Sequence, residues 1–185
     1  MAKKFVNPTK VVTGECRFSY ANLWEAKAMD ENSKPKYSVS LIIPKSDTKT
    51  IEKVKAAIQA AYDEGKSKLS NGKSVPSLNS IKTPLRDGDI DRPDDEAYAN
   101  RYFINANSII APGIVDAVRQ PILTHSEVYS GIYGRASITF YAFNTKTSRG
   151  IACGLQNVQK LRNGDPLGGH SSAEEDFADD EDFLD

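Results

Sequence analysis

The sequence predicts a mainly β fold, a small barrel with one inserted α-helix. Strand-like alternation brackets a single amphipathic stretch, a long irregular excursion follows that stretch, and strands do not alternate with several helices. Residues 11–21, VVTGECRFSYA, place Val12, Cys16, Phe18 and Tyr20 on one side and Thr13, Glu15, Arg17 and Ser19 on the other, as a half-buried strand does. After a turn containing lysine and proline, residues 36–43 repeat the pattern with Tyr37, Val39, Leu41 and Ile43 inward, and Pro44 ends the run. Asp47 is then placed to cap a helix whose stripe of Ile51, Val54, Ile58, Ala61 and Tyr62 recurs at helical spacing until Gly65 closes it.

Residues 66–96 read as a long irregular loop with Asn71-Gly72, three prolines and an acidic run over 87–96. Strand character returns over residues 98–110, 112–118, 129–144 and 149–161, with a hairpin at 144–150. Internal repeats are not found.

Charge divides the chain. Residues 174–185, EEDFADDEDFLD, hold eight of its 25 acidic side chains and no basic one, which leaves 24 cations against 17 anions before them, a body of +7 followed by a segment of −8. Such a segment is too charged and too poor in apolar residues to fold, so a disordered tail is expected. The domain reading is therefore a body over 1–162, a flexible Gly/Ser linker over 163–173 and an acidic tail over 174–185.

Several classes of function are disfavoured. No apolar run approaches the roughly 18 residues of a membrane span, so a soluble protein without membrane contact is expected. Cys16 and Cys153 are too few for a disulfide framework and fall in strand-like runs, which suggests small buried residues in a reducing compartment. Asp87, Asp89 and Asp91 begin like a calcium loop, but Arg92 stands where glycine is required, Tyr98 where glutamate is, and Pro93 intrudes. His125 and His170 lack the spaced partners of a zinc site. Phosphate loops, dinucleotide turns and nucleophile elbows are missing too, so neither catalysis nor a metal or other cofactor is expected.

The candidate binding residues come from strand alternation. With Tyr102, Ile104 and Ala106 on the core side, Arg101, Phe103, Asn105 and Asn107 face outward. With Ala136, Ile138, Phe140 and Ala142 inward, Arg135, Ser137, Thr139, Tyr141 and Phe143 face outward. Each strand then offers a cation beside an exposed ring. Single-stranded nucleic acid matches that arrangement, because cations follow phosphates while any base can stack on an aromatic face. The competing reading is a strand buried on both faces, or a ring covered by the long loop. Tyr20, Asn22 and Trp24, just before Lys27, form a second candidate cluster in which Trp24 is equally explained as core, and Arg17, Tyr20, Trp24 and Lys36 are next in line should the groove lie elsewhere.

GECRFSYANLWEA (residues 14–26), KYSVSLIIPK (36–45), YSGIYGRASITFYAF (129–143) and RGIACGLQNVQKLRNGDPLG (149–168) together resemble a family of bacteriophage single-stranded-DNA-binding proteins long catalogued as a domain of unknown function. The resemblance implies a five-stranded oligonucleotide/oligosaccharide-binding (OB) barrel that coats single strands during phage DNA replication, recombination and repair, in the cytoplasm of the infected host. It also implies a role for the tail, which is similar to the acidic C-termini of such proteins, including those of T7-like phages, in competing with DNA and docking replication proteins such as polymerase or helicase. The residues concerned are the carboxylates Glu174, Glu175, Asp176, Asp179, Asp180, Glu181, Asp182 and Asp185 with the apolar Phe177, Phe183 and Leu184. The T7-like proteins end on phenylalanine, whereas here Leu184 and Asp185 follow Phe183. Alternatives are a strand-annealing recombination protein, a metal-dependent nuclease built on residues 87–96, and a virion assembly protein. The oligomeric state stays open.

Overall fold

The computed structural model describes residues 6–167. Strands β1 (Lys10–Val12), β2 (Cys16–Lys27) and β3 (Lys36–Pro44) precede helix α1 (Thr48–Glu64) and the short α2 (Lys66–Ser70). Then come β4 (Leu85–Asp87), the short α3 (Gly88–Asp91), β5 (Arg101–Ser108), β6 (Gly113–Val115), β7 (Tyr133–Asn144) and β8 (Arg149–Arg162). The structure is mainly β, and one long helix follows β3 as expected. Asp47 caps it by accepting from the Thr50 amide, Gly65 ends it, and Ile51, Val54, Ile58 and Ala61 are buried.

Antiparallel ladders join β2 to β3, β3 to β5 and β7 to β8. Two shorter joints complete the arrangement, a parallel pairing of β5 with β8 at Asn107 and Gly154 and an antiparallel pairing of β2 with β7 at Cys16–Gly134 and Arg17–Tyr133. Followed in order, the pairings lead from β2 through β3, β5, β8 and β7 back to β2, with β1 added to β7, β6 to β8 and β4 to β5. The interior holds Phe18, Leu41, Ile43, Ile104, Ile132, Ile138 and Phe140, all essentially inaccessible.

The alternation expected of residues 11–21 breaks twice. A bend between β1 and β2 buries Val11 and Thr13 and leaves Val12 45% exposed. Further on, the β2–β3 register shifts between Ser19 and Asn22 while Tyr20 adopts φ +46°, so its side chain turns out, 57% exposed, although it is in step with Cys16 and Phe18.

The excursion after the helix is less irregular than expected. It contributes β4 and α3, then a 3-10 turn at Glu96–Tyr98 that folds over the outer face of β3 and β5. Tyr98 is buried there, its hydroxyl 3.0 Å from Ser40 Oγ and its ring edge-on to Phe103 at 5.0 Å. Ile42 completes this second, small core, with Ala97 and Leu167 packed against it. Phe103 therefore points outward from the barrel yet is only 3% exposed, which corrects the expectation of an accessible ring.

Residues 163–167 correct the linker expectation as well, because they lie against the body. Tyr129 Oη donates to the Gly164 carbonyl at 2.9 Å, and the Leu167 amide donates to the Ser130 carbonyl at 2.8 Å. The crossing is close enough to need glycine: Gly131 sits at φ +121°, and a Cβ there would lie 2.2 Å from the Asp165 carbonyl oxygen. The remainder of the expected linker and the acidic tail lie outside the described residues.

Candidate nucleic-acid interface

Residues directly opposed across paired strands share a face of the sheet, so one line of outward positions runs Tyr133–Arg17–Ile42–Phe103–Arg86 from β7 across β2, β3 and β5 to β4. Ile42 and Phe103 in the middle are covered by the excursion. At the uncovered end Arg17, Arg101, Tyr133 and Arg162 line a cleft of about 380 Å³ together with Glu15 and Glu96. The Arg17 and Arg162 guanidinium carbons lie 5.4 and 3.7 Å from the Tyr133 ring centroid, so the ring is held by two cations. Arg17 is fixed further by donating to the Gly131 carbonyl at 3.3 Å and the Asp165 carbonyl at 2.7 Å. Arg162 pairs with Glu15 at 2.7 Å, whereas neither Arg17 nor Arg101 is in an ion pair among the described residues. Two guanidinium groups without carboxylate partners suit phosphate oxygens, which their planar forks engage in bidentate fashion.

A second outward line runs Asn22–Ser38–Asn107–Gly154–Thr139 across β2, β3, β5, β8 and β7. Its side chains are small and polar, so a backbone can approach the sheet closely. Tyr141, 46% exposed, stands beside Gly154, where an added Cβ would come within 3.6 Å of Tyr141 Cε1. Near the opposite end Tyr20 projects from β2, its backbone carbonyl accepting from Asn22 Nδ2 at 3.2 Å.

The structure thus gathers some of the residues expected to bind and separates others. Arg17 and Arg101 share the cleft. Arg135 does not join them: its Nε donates to the Thr13 carbonyl at 2.9 Å, and it lines another groove with Val12 and Arg119. Tyr141 is exposed, and Phe143 is half-buried opposite Gly150 near the β7–β8 hairpin. Trp24 is half-buried against the main core, stacked on His125 at 4.3 Å between centroids, with Nε1 donating to the His125 carbonyl. Lys36 is exposed at the start of β3, opposite Lys27. Tyr133, Arg162 and Arg92 were missed. Tyr133 shares the outward alternation of Arg135 and was legible from it; Arg162 reaches Glu15 across most of the chain, and no local signal marks that pair.

The acidic run has its own structural work. Lys45 Nζ lies 2.9 Å from Asp87 and 2.8 Å from Asp89, and its hydrogen bond, followed by that of the Asn100 amide, holds the Asp89 carboxyl below the usual carboxylate range. Among the described residues no group of three or more His, Cys, Asp or Glu side chains is placed to hold a metal ion. Both cysteines are free and buried, and burial pushes the Cys16 thiol up to about 12.

Cations suited to phosphates, beside rings suited to bases and on a mainly β scaffold, are the features of a nucleic-acid-binding protein. The chain belongs to the family described as the ssDNA-binding protein of Enterobacter phage Enc34, whose model matches residues 9–184. Putative protein p50 of Acyrthosiphon pisum secondary endosymbiont phage 1 is 30% identical over 174 residues, covering 90% of this chain and 91% of that protein. The fold resembles that of the single-stranded DNA-binding protein from bacteriophage Enc34 in complex with ssDNA, with a TM-score of 0.72 and 23% identity over 90% of this chain and 97% of that one. It also resembles gp2.5, a single-stranded DNA binding protein encoded by bacteriophage T7, with a TM-score of 0.60 and 14% identity over 92% and 93% of the two chains.

Proposed function

We propose that this chain binds single-stranded DNA without regard to sequence, protecting and organising it in phage DNA replication, recombination and repair within the cytoplasm of the infected host. The observation that carries the reading is the cleft on the outer face of the sheet that Arg17 and Arg101, neither in an ion pair among the described residues, line together with Tyr133. Membership of the Enc34 family supports it. The order β2–β3–β5–β8–β7 and its return to β2 fit the five-stranded Greek-key barrel of an OB fold, with β3 and β5 as the face on which such folds take oligonucleotides. The strand enters at the arginine cleft and crosses the small polar line toward Tyr141, phosphates on the cations and bases on the rings. The protein acts by binding and carries out no chemistry on the DNA. The acidic tail competes with DNA for the cationic face and, once displaced, docks replication proteins.

Titration of single-stranded and duplex oligonucleotides of matched length across a salt series tests the proposal. Single strands are expected to bind far more tightly, because intact duplex hides its bases from the rings, and log affinity is expected to fall with log salt by about 0.7 per phosphate neutralised. Equal affinity for the two forms overturns the reading.

A further inference from the structure

Tyr20 has unusual surroundings for an exposed aromatic. Its backbone occupies the left-handed region at φ +46°, which non-glycine residues rarely adopt and which concentrates at functional sites. Its ring is not free to swing. The Arg92 guanidinium carbon lies 5.2 Å from the ring centroid, and Arg92 Nη1 is 3.4 Å from the Tyr20 hydroxyl. Arg92 is itself anchored, 5.4 Å from the Tyr98 ring and 5.6 Å from that of Phe103, with its amide donating to the Gly88 carbonyl at 2.9 Å. One cation therefore braces an exposed ring against a buried pair.

The rim has the opposite charge. Tyr20 and Arg92 line a shallow pocket of about 450 Å³ whose other walls are Pro93 and the carboxylates Asp91, Asp94, Asp95 and Glu96. Four carboxylates around one half-buried guanidinium repel a phosphate, so Arg92 is poorly placed as a backbone contact. A neutral, planar group meets no such barrier, and a braced ring loses little freedom when something stacks on it.

We propose that Tyr20 and the excursion loop form a subsite for a single unpaired nucleobase, with Arg92 as the positioning residue that presents the ring and Asp91, Asp94 and Asp95, which line this pocket and not the arginine cleft, keeping the phosphates on the cleft side. This rests on the single-stranded-DNA reading above.

The test uses full-length protein and fluorescently labelled oligo-dT, beside a probe of the same length in which abasic sites replace the bases. Tyr20→Ala is expected to weaken oligo-dT binding about five- to hundred-fold with an unchanged salt slope, and to leave binding of the abasic probe unaltered. Tyr20→Phe, which keeps the ring, stays close to wild type. Arg92→Ala reproduces most of the Tyr20→Ala loss, Arg92→Lys does not restore it, and the double variant Tyr20→Ala/Arg92→Ala binds no more weakly than Tyr20→Ala alone. Oligo-dT affinity unchanged by Tyr20→Ala, or equal losses on both probes, overturns the subsite. A flattened salt slope in Arg92→Ala with full rescue by lysine makes Arg92 a phosphate contact and overturns its assigned role. Should Arg92→Ala melt the excursion, the exposed Tyr20 variants still decide the matter. Wild-type protein that does not prefer single strands refutes the underlying reading instead.

Discussion

A phosphate docked on Arg17 or Arg101 displaces condensed counterions without breaking an internal ion pair, since neither side chain has a carboxylate partner among the described residues. Arg17→Ala and Arg101→Ala are each expected to reduce the salt slope of single-strand binding by about 0.7, measured by fluorescence anisotropy. Arg162→Ala is expected to reduce the slope less, because Glu15 already pairs with that guanidinium. Tyr141→Ala is expected to cost ~1–3 kcal/mol of binding with the slope unchanged, as stacking releases no ions. Phe103 behaves differently. Truncating its covered ring removes the partner of Tyr98 and opens a cavity under the excursion, so Phe103→Ala should destabilise the fold by about 3–5 kcal/mol, seen as a lower denaturation midpoint.

Among the elements, the excursion depends most on charge. Lys45 at the end of β3 ties down Asp87 and Asp89 at the junction of β4 and α3, and Asp89 in turn holds the Asn100 amide at 2.9 Å. Because the folded state lowers the Asp89 pKa, its contribution is present above the ordinary carboxylate value and is lost as pH falls through the depressed one. Below about pH 4, amide exchange over residues 88–100, corrected for intrinsic rate, should rise relative to the β7–β8 ladder. The same element marks where the sequence stopped being legible. Period-two runs gave β3 and β8 nearly to the residue and the end of β7, which starts four residues later than expected, and Asp47 and Gly65 bounded α1, since those signals are local. The outward side of Phe103 was also legible. Its cover was not, because Tyr98 reaches Ser40 and Phe103 only once a proline-containing stretch has folded back over two strands. Tyr20 escaped the alternation for a related reason: a register shift and one left-handed residue reverse a side chain without leaving a mark in the pattern.

At the scale of the molecule, a body of +7 precedes a segment of −8, and eighteen residues follow Leu167, spanning at most about 60 Å if fully extended. Leu167, the last described residue, sits on the small core beside the arginine cleft, at the edge of the face that the acidic segment is proposed to contest. Deleting residues 174–185 is expected to tighten single-strand binding, most at low salt where screening is weakest, and affinity unchanged at low salt would leave the tail as a docking or solubility element only. The circuit of strands has a further consequence. Its long ladders are joined by two brief contacts, Cys16–Gly134 with Arg17–Tyr133 on one side and Asn107–Gly154 on the other, and both lie on the two lines of outward residues across which the DNA is proposed to run. Such joints are the natural places for transient opening, while the β7–β8 ladder opens only with the whole fold. A single strand laid across both would act as a splint. The Phe18 amide, which donates to the Ile132 carbonyl across the β2–β7 joint at 2.9 Å, should therefore exchange early in the free protein and slow by a larger factor than the amides of the β7–β8 ladder once DNA is bound, a pattern that hydrogen–deuterium exchange reads residue by residue.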